Sequence, residues 1–169
     1  MLNSRPLPFD AIAEARRQWE AHKWPNGQAM AAVTSIMRAQ QIVLARVDAV
    51  LRPFDLTFAR YEALVLLSFS RSGALPMGKM GDRLMLHPTS ITNIIDRLED
   101  QGLVRRVSHP TDRRTTLAEI TAEGRKVVEA ATEATSGIAL GMGNLSEDEL
   151  DRITDLLRQL RVDAGDFPE

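Results

Sequence analysis

Over most of this chain the apolar positions recur with a helical period, and over one short interval the period drops to two. Ile12, Ala15 and Trp19, followed by His22 or Lys23, predict a helix from Asp10 to Lys23, ended by Pro25-Asn26-Gly27. Gln28 to Leu51 predicts a long second helix. Val33, Met37, Leu44, Val47 and Leu51 form one stripe on it, and Met30, Ile36, Val43 and Val50 widen that stripe. A face so broad needs partners on more than one side. Arg52-Pro53 closes it. Thr57 is an N-cap for a helix from Phe58 to Ser70, with Leu64, Val65, Leu66 and Leu67 mostly buried, and Arg71-Ser72-Gly73 breaks it.

The next stretch changes character. Leu75-Pro76 is short and extended, and Met77 to Met85 is a short helix resting on Met80 and Leu84. Leu86-His87 is a turn. Pro88 then stands at the first helical position, with His87 as the cap before it. That helix runs to Gln101, where Gly102 supplies a left-handed stop. Leu103 to Ser108 and Thr115 to Ile120 read as two strands of a hairpin around His109-Pro110-Thr111-Asp112-Arg113, with Leu117 facing in and Ala118 out. Thr121 caps a helix from Ala122 to about Leu140, interrupted by Gly141-Met142-Gly143-Asn144. Ser146 and Glu149 form a capping box for a last helix, Glu147 to Val162, which carries Leu150, Ile153, Leu157 and Leu160 on one side.

Composition narrows the function. At 169 residues with 44% apolar and 26% charged side chains, the chain has room for one core, with or without extended arms. No apolar run reaches a membrane-spanning length, and Met1 to Phe9 lacks the basic and apolar segments of a secretion signal, so a cytoplasmic location and no membrane partner are expected. Without cysteine there is no thiol nucleophile and no thiol redox sensor. His22, His87 and His109 lie too far apart to suggest a metal cluster, so neither metal nor cofactor is expected. No glycine-rich phosphate loop or HExxH is present, and no supported Ser/His/Asp set, which argues against an enzyme. The net charge of −2 is uneven: residues 1–78 carry +3, 79–114 carry +2 and 115–169 carry −7. A uniformly basic surface is thus excluded, but a basic face is not. Eighteen of the 21 basic residues are arginine, which suits phosphate and guanine recognition, although a GC-rich genome gives the same excess.

Short helix, turn, helix and two-stranded hairpin together make a winged helix-turn-helix. On the 88–101 helix, Ile91, Ile94, Ile95 and Leu98 share one face; Thr89, Asn93, Asp96 and Arg97 take the other, with Thr92 at its margin. Such a helix can bind a core and still lie in a major groove, N-terminus first. Thr89, Ser90, Thr92 and Asn93 are short enough to let the backbone approach, and they reach phosphates or base edges. At the hairpin tip, Asp112 and Arg114 lie two apart, so Asp112 is expected to orient the Arg114 guanidinium toward a narrow minor groove. The first and last helices are remote from this unit, and two-fold pairing would bury them against their twins, although folding back on their own subunit remains open.

Thr57 to Gly124 resembles the DNA-binding core of the MarR family of transcription regulators. The similarity runs through Leu56-Thr57, Gly81-Asp82-Arg83-Leu84, the 89–99 helix, Gly102-Leu103-Val104-Arg105-Arg106, Asp112-Arg113-Arg114 and Ile120-Thr121-Ala122-Glu123-Gly124. It implies a mainly α fold with a small β-hairpin wing. Residues 1–52 are then N-terminal dimerisation helices with an effector pocket, 53–121 the winged helix-turn-helix, and 122–169 C-terminal dimerisation helices. It implies a homodimer on a palindromic operator in double-stranded DNA, acting as a repressor released by a small aromatic or phenolic effector. Thr89, Ser90, Thr92, Asn93, Arg97, Arg106, Asp112, Arg113 and Arg114 would meet DNA. Arg16, Trp19, His22 and Arg46 would line the effector cleft with an anion-binding end, and Ile12, Trp19, Leu150, Ile153, Leu157 and Leu160 would form the dimer interface. The competing reading is a winged-helix protein-interaction module that binds no DNA.

Overall fold

The computed structural model describes residues 6–112 and 114–168 and is mainly helical. In chain order come α1 (Ala11–Ala21), α2 (Gly27–Leu51), α3 (Phe58–Phe69), β1 (Ala74–Pro76), α4 (Met77–Leu84), α5 (Pro88–Asp100), β2 (Val104–Ser108), β3 (Thr116–Ile120), α6 (Ala122–Ser136) and α7 (Glu147–Asp163). Short 3-10 turns follow α2 and α6, at Arg52–Phe54 and Ala139–Gly141. The boundaries come from local chemistry. Asp10 accepts hydrogen bonds from the Ile12 and Ala13 amides at 2.9 and 3.2 Å, and Ser146 with Glu149 forms the reciprocal capping box that starts α7. No described helix is long and apolar enough to cross a membrane.

The sheet has three antiparallel strands in the order β1-β3-β2. Leu75-Pro76 thus belongs to a third strand and is more than a linker; its proline sits on an edge strand, where the missing N–H costs nothing. Register also reverses the expected facing of β3. Ala118 pairs with Leu75 and Arg106, Ile120 pairs with Val104, and Ala118 and Ile120 are the buried residues of the strand. Leu117 points to the other, half-covered face. A small residue belongs at Ala118 because the middle strand is pressed against helices on that side.

One core runs through the molecule. It joins Val47 and Leu51 of α2, Leu64 and Leu67 of α3, Met80 of α4, Ile91, Ile95 and Leu98 of α5, Ala118 and Ile120 of β3, and Val128 and Ala131 of α6. It therefore crosses both expected divisions, at 52/53 and at 121/122. The Tyr61 hydroxyl adds a polar tie, 3.1 Å from Thr132 Oγ1 and 3.3 Å from the fully buried Thr135 Oγ1. By contrast α1 and α7 have no buried residue, and Val33, Ile36 and Met37 on α2 stay exposed.

Gly124 shows how closely α6 seats against the base of the hairpin. The Thr121 side chain accepts the Gly124 amide at 3.0 Å and donates to the Gly102 carbonyl at 2.9 Å, so the start of α6 is stitched to the end of α5. A Cβ on Gly124 would fall 2.1 Å from the Leu103 carbonyl oxygen. Backbone cannot step aside as a side chain can. Gly124→Ala is therefore expected to destabilise the protein by about 1–3 kcal/mol or more, as overpacking does. A fall in the urea midpoint checks this, and an unchanged midpoint would contradict it.

Candidate nucleic-acid interface

The outward face of α5 is built from its N-terminus. Pro88 occupies the first turn and His87 Nδ1 accepts the Thr89 amide at 3.3 Å, which starts the helix cleanly. Ile91, Ile95 and Leu98 go into the core, while Thr89, Thr92, Asn93, Asp96 and Arg97 are exposed and Ser90 is half-buried. The Thr92 hydroxyl donates back to the Pro88 carbonyl at 3.1 Å, which leaves it as an acceptor with a methyl group beside it. Asn93 forms no hydrogen bond within the described residues, so both ends of its amide face solvent. Arg97 only grazes Asp100 at 4.0 Å and stays free to move. Lys79 and Arg83 of α4, exposed and four residues apart on one side of their helix, add positive charge that sequence reasoning had not singled out.

Arg106 does something other than expected. Its guanidinium is held by two carboxylates of α5, Asp96 and Glu99, and its backbone amide donates to Glu99 at 3.0 Å. Partial burial works against its charge, but the bonds from Asp96 and Glu99 prevail and keep it above the ordinary arginine value. A guanidinium so occupied is a brace and not a free DNA contact. The strand period explains it: Val104 faces the core, so Arg106 turns to the same side and meets α5, opposite the small Ala118. Arg105 points the other way and pairs with its cross-strand partner Glu119 at 2.6 Å. The brace also settles Asp96. Its negative charge on the outward face is partly offset by Arg106, which it shares with Glu99.

The wing tip is organised by Asp112, though not through the Arg114 guanidinium. Asp112 Oδ1 accepts the Arg114 amide at 3.0 Å and Oδ2 accepts the Thr115 hydroxyl at 2.6 Å, so the carboxylate fixes backbone. The Arg114 side chain is exposed and forms no ion pair among the described residues. An aspartate at a turn serves its own following amides first, because they lie within reach at no cost in side-chain order. Arg113 lies outside the described residues.

The effector expectation fares differently. Trp19 donates from Nε1 to the Pro25 carbonyl at 2.8 Å and meets Trp24 edge-on at 5.0 Å; Arg16 pairs with Glu20; and His22 Nδ1 sits 2.7 Å from the Gln18 carbonyl. Trp19 lies beside Gly27, at the start of α2. Arg46 is 19 residues further along that helix, about 28 Å away at 1.5 Å per residue, and it donates to the Gly141 carbonyl at 2.8 Å. The four side chains therefore do not line one cleft within a subunit. A cavity of about 640 Å³ opens elsewhere, between α2, α3 and the 139–142 segment, and none of the four lines it.

The MarR family model matches residues 56–116. The uncharacterized HTH-type transcriptional regulator YhbI of Bacillus subtilis is 32% identical over 131 residues, covering 78% of each chain. Among solved structures, Sco5413, a MarR family transcriptional regulator from Streptomyces coelicolor, is 58% identical with a TM-score of 0.77, covering 84% of this chain and 99% of that one. CouR from Rhodococcus jostii RHA1, bound to p-coumaroyl-CoA, is 26% identical with a TM-score of 0.67, covering 79% and 90%.

Two outcomes follow from the geometry. Arg106→Ala should lower stability by about 1 kcal/mol and weaken DNA binding, while leaving the slope of log affinity against log salt unchanged, because no phosphate contact is lost. A reduced slope would return Arg106 to the DNA surface. Hydrogen bonds from the Thr115 hydroxyl and the Arg114 amide hold the Asp112 carboxyl below the ordinary aspartate value. A carboxyl depressed in the folded state contributes above its unfolded value of about 3.9 and loses that contribution as pH falls through the lower native value. An NMR titration should place Asp112 below that unfolded value, with Arg114 amide shifts moving in step. A midpoint at or above it would contradict the turn.

Proposed function

The chain belongs to the MarR family of transcriptional regulators, and we propose that it works as a homodimer gripping a palindromic operator in the cytoplasm. In this reading it is a repressor released by a small aromatic or phenolic effector. The observation that carries it is the joint presentation of two elements: an α5 whose outward face is short, polar and unpaired at Asn93, and a wing whose tip leaves Arg114 free. Thr89, Ser90, Thr92, Asn93 and Arg97 read the major groove, Arg114 with Arg113 enters the minor groove, and Lys79 and Arg83 meet phosphates as the first helix crosses the backbone.

The uncovered apolar surface supports the dimer. Leu156 and Leu160 on α7 are 66% and 60% exposed, and Val33 and Met37 on α2 are each 57% exposed, large apolar side chains left uncovered on two separate helices. Ile12, Trp19, Leu150, Ile153 and Leu157 flank them, half-buried. Two-fold pairing of these helices sets two copies of α5 about one DNA turn, ~34 Å, apart. A relative that binds a small molecule supports an effector. The polar α5 face and the free wing arginine favour this reading over a protein-interaction module.

Arg114→Ala tests it. Operator affinity should drop and the salt slope should fall by about 1, with the dimer intact by ultracentrifugation. Affinity and slope both unchanged would remove the wing from the interface, and a monomer at working concentration would remove the two-fold grip.

A further inference from the structure

The cavity between α2 and α3 has a lining of unusual charge. Val43, Leu44, Val65 and Leu66 make it apolar, and Phe58, Tyr61 and Phe69 bring three aromatic rings. Among the described residues its only ionisable side chains are Glu62 and Tyr61, and no arginine, lysine or histidine lines it. Tyr61 spends its hydroxyl on Thr132 and Thr135, so the ring is what it offers the cavity. Glu62 is half-buried and forms neither hydrogen bond nor ion pair among the described residues.

Physical chemistry sorts ligands here by charge. A carboxylate would meet a second carboxylate with no cation to offset it. A neutral apolar molecule would strip water from Glu62 and return nothing. A protonated amine gives Glu62 a charge-assisted hydrogen bond and places positive charge near aromatic faces, the combination that recognises ammonium groups elsewhere. We infer that this cavity binds a lipophilic cation, an ammonium on an aromatic or branched apolar body, with the ammonium on Glu62 and the body against Phe58, Tyr61 and Phe69. Burial alone already raises the Glu62 carboxyl above the ordinary glutamate value, a penalty that such an occupant reverses.

The regulatory consequence rests on the effector-released reading above and narrows its effector to an amine. Leu140 and Met142 form one lip of the cavity, in a segment where Ala139, Leu140 and Gly141 all take left-handed backbone, at φ 46°, 49° and 82°. Arg46 pins that segment through the Gly141 carbonyl, and it leads directly into α7. An occupant thus bears on the link to the helix that the proposed dimer uses.

Calorimetry on the full chain with three matched probes tests this: 4-phenylbutylamine, 4-phenylbutanoate and 4-phenylbutan-1-ol. At pH 7 the amine should bind at least tenfold more tightly than the carboxylate, and its affinity should fall as pH drops through the raised Glu62 value. Glu62→Gln should cost the amine at least tenfold and leave the alcohol within twofold. Glu62→Arg should reverse the order of amine and carboxylate. Equal or tighter carboxylate binding overturns the inference, as does amine affinity indifferent to Glu62→Gln, or no amine binding to protein that remains folded by circular dichroism. Operator binding by the ligand-free protein is measured in parallel. Its absence would count against the operator reading and leave the cavity's preference to the calorimetry.

Discussion

The grip of Asp96 and Glu99 on Arg106 is the constraint from which the DNA-facing surface follows. A recognition helix and a wing are useful together only if their mutual orientation is set before DNA arrives, since flexibility between them has to be frozen on binding. The brace sets that orientation with one guanidinium shared between two carboxylates a helical turn apart on α5. It also uses acids that would otherwise repel phosphate. Thr121 repeats the logic at the base of β2 and β3, where it joins the end of α5 to the start of α6. Between these two ties the hairpin has little freedom to swing.

Most of the architecture was legible along the chain because strong local signals coincide with element ends. Pro88 after His87, Gly102 after Gln101, and Ser146 with Glu149 each act within a few residues, and each stands where expected. What was hidden depended on partners distant in sequence. Leu75-Pro76 is too short to declare itself a strand until β3 pairs with it. The facing of β3 was misread because Leu117 is the larger residue, whereas the middle strand has room only for Ala118. Had the strand period been anchored on Val104, the burial of Arg106 toward α5 would have been readable too.

The same division holds for the sites. The polar face of α5 was visible as a period, and the structure exposes the residues that the period assigned. The role of Asp112 was half visible: the right residue, but bonded to backbone and not to the next arginine but one. The α1 cluster misled because spacing along one helix says nothing about what the opposite wall contributes. Arg16, Trp19 and His22 do share a side of α1, yet their partners are Glu20, Pro25 and Gln18, all local. The cavity that does form borrows from α2, α3 and a turn some eighty residues later, a combination only folding brings together.

The length of α2 has a mechanical consequence. Its last turns, at Val47 and Leu51, are clamped in the core, its middle borders the cavity, and its first half packs on α1 at Gly27 while Val33, Ile36 and Met37 stay exposed. A rod of 25 residues spans about 37 Å at 1.5 Å per residue. Pivoted at the core end, a tilt of about 5° displaces the far end, and α1 with it, by about 3 Å over that length, the size of a change in how two helices interlock. A sub-ångström push beside the fulcrum is thereby multiplied along the lever, and the subunit needs no soft hinge to turn a small event inside it into a large one at its periphery.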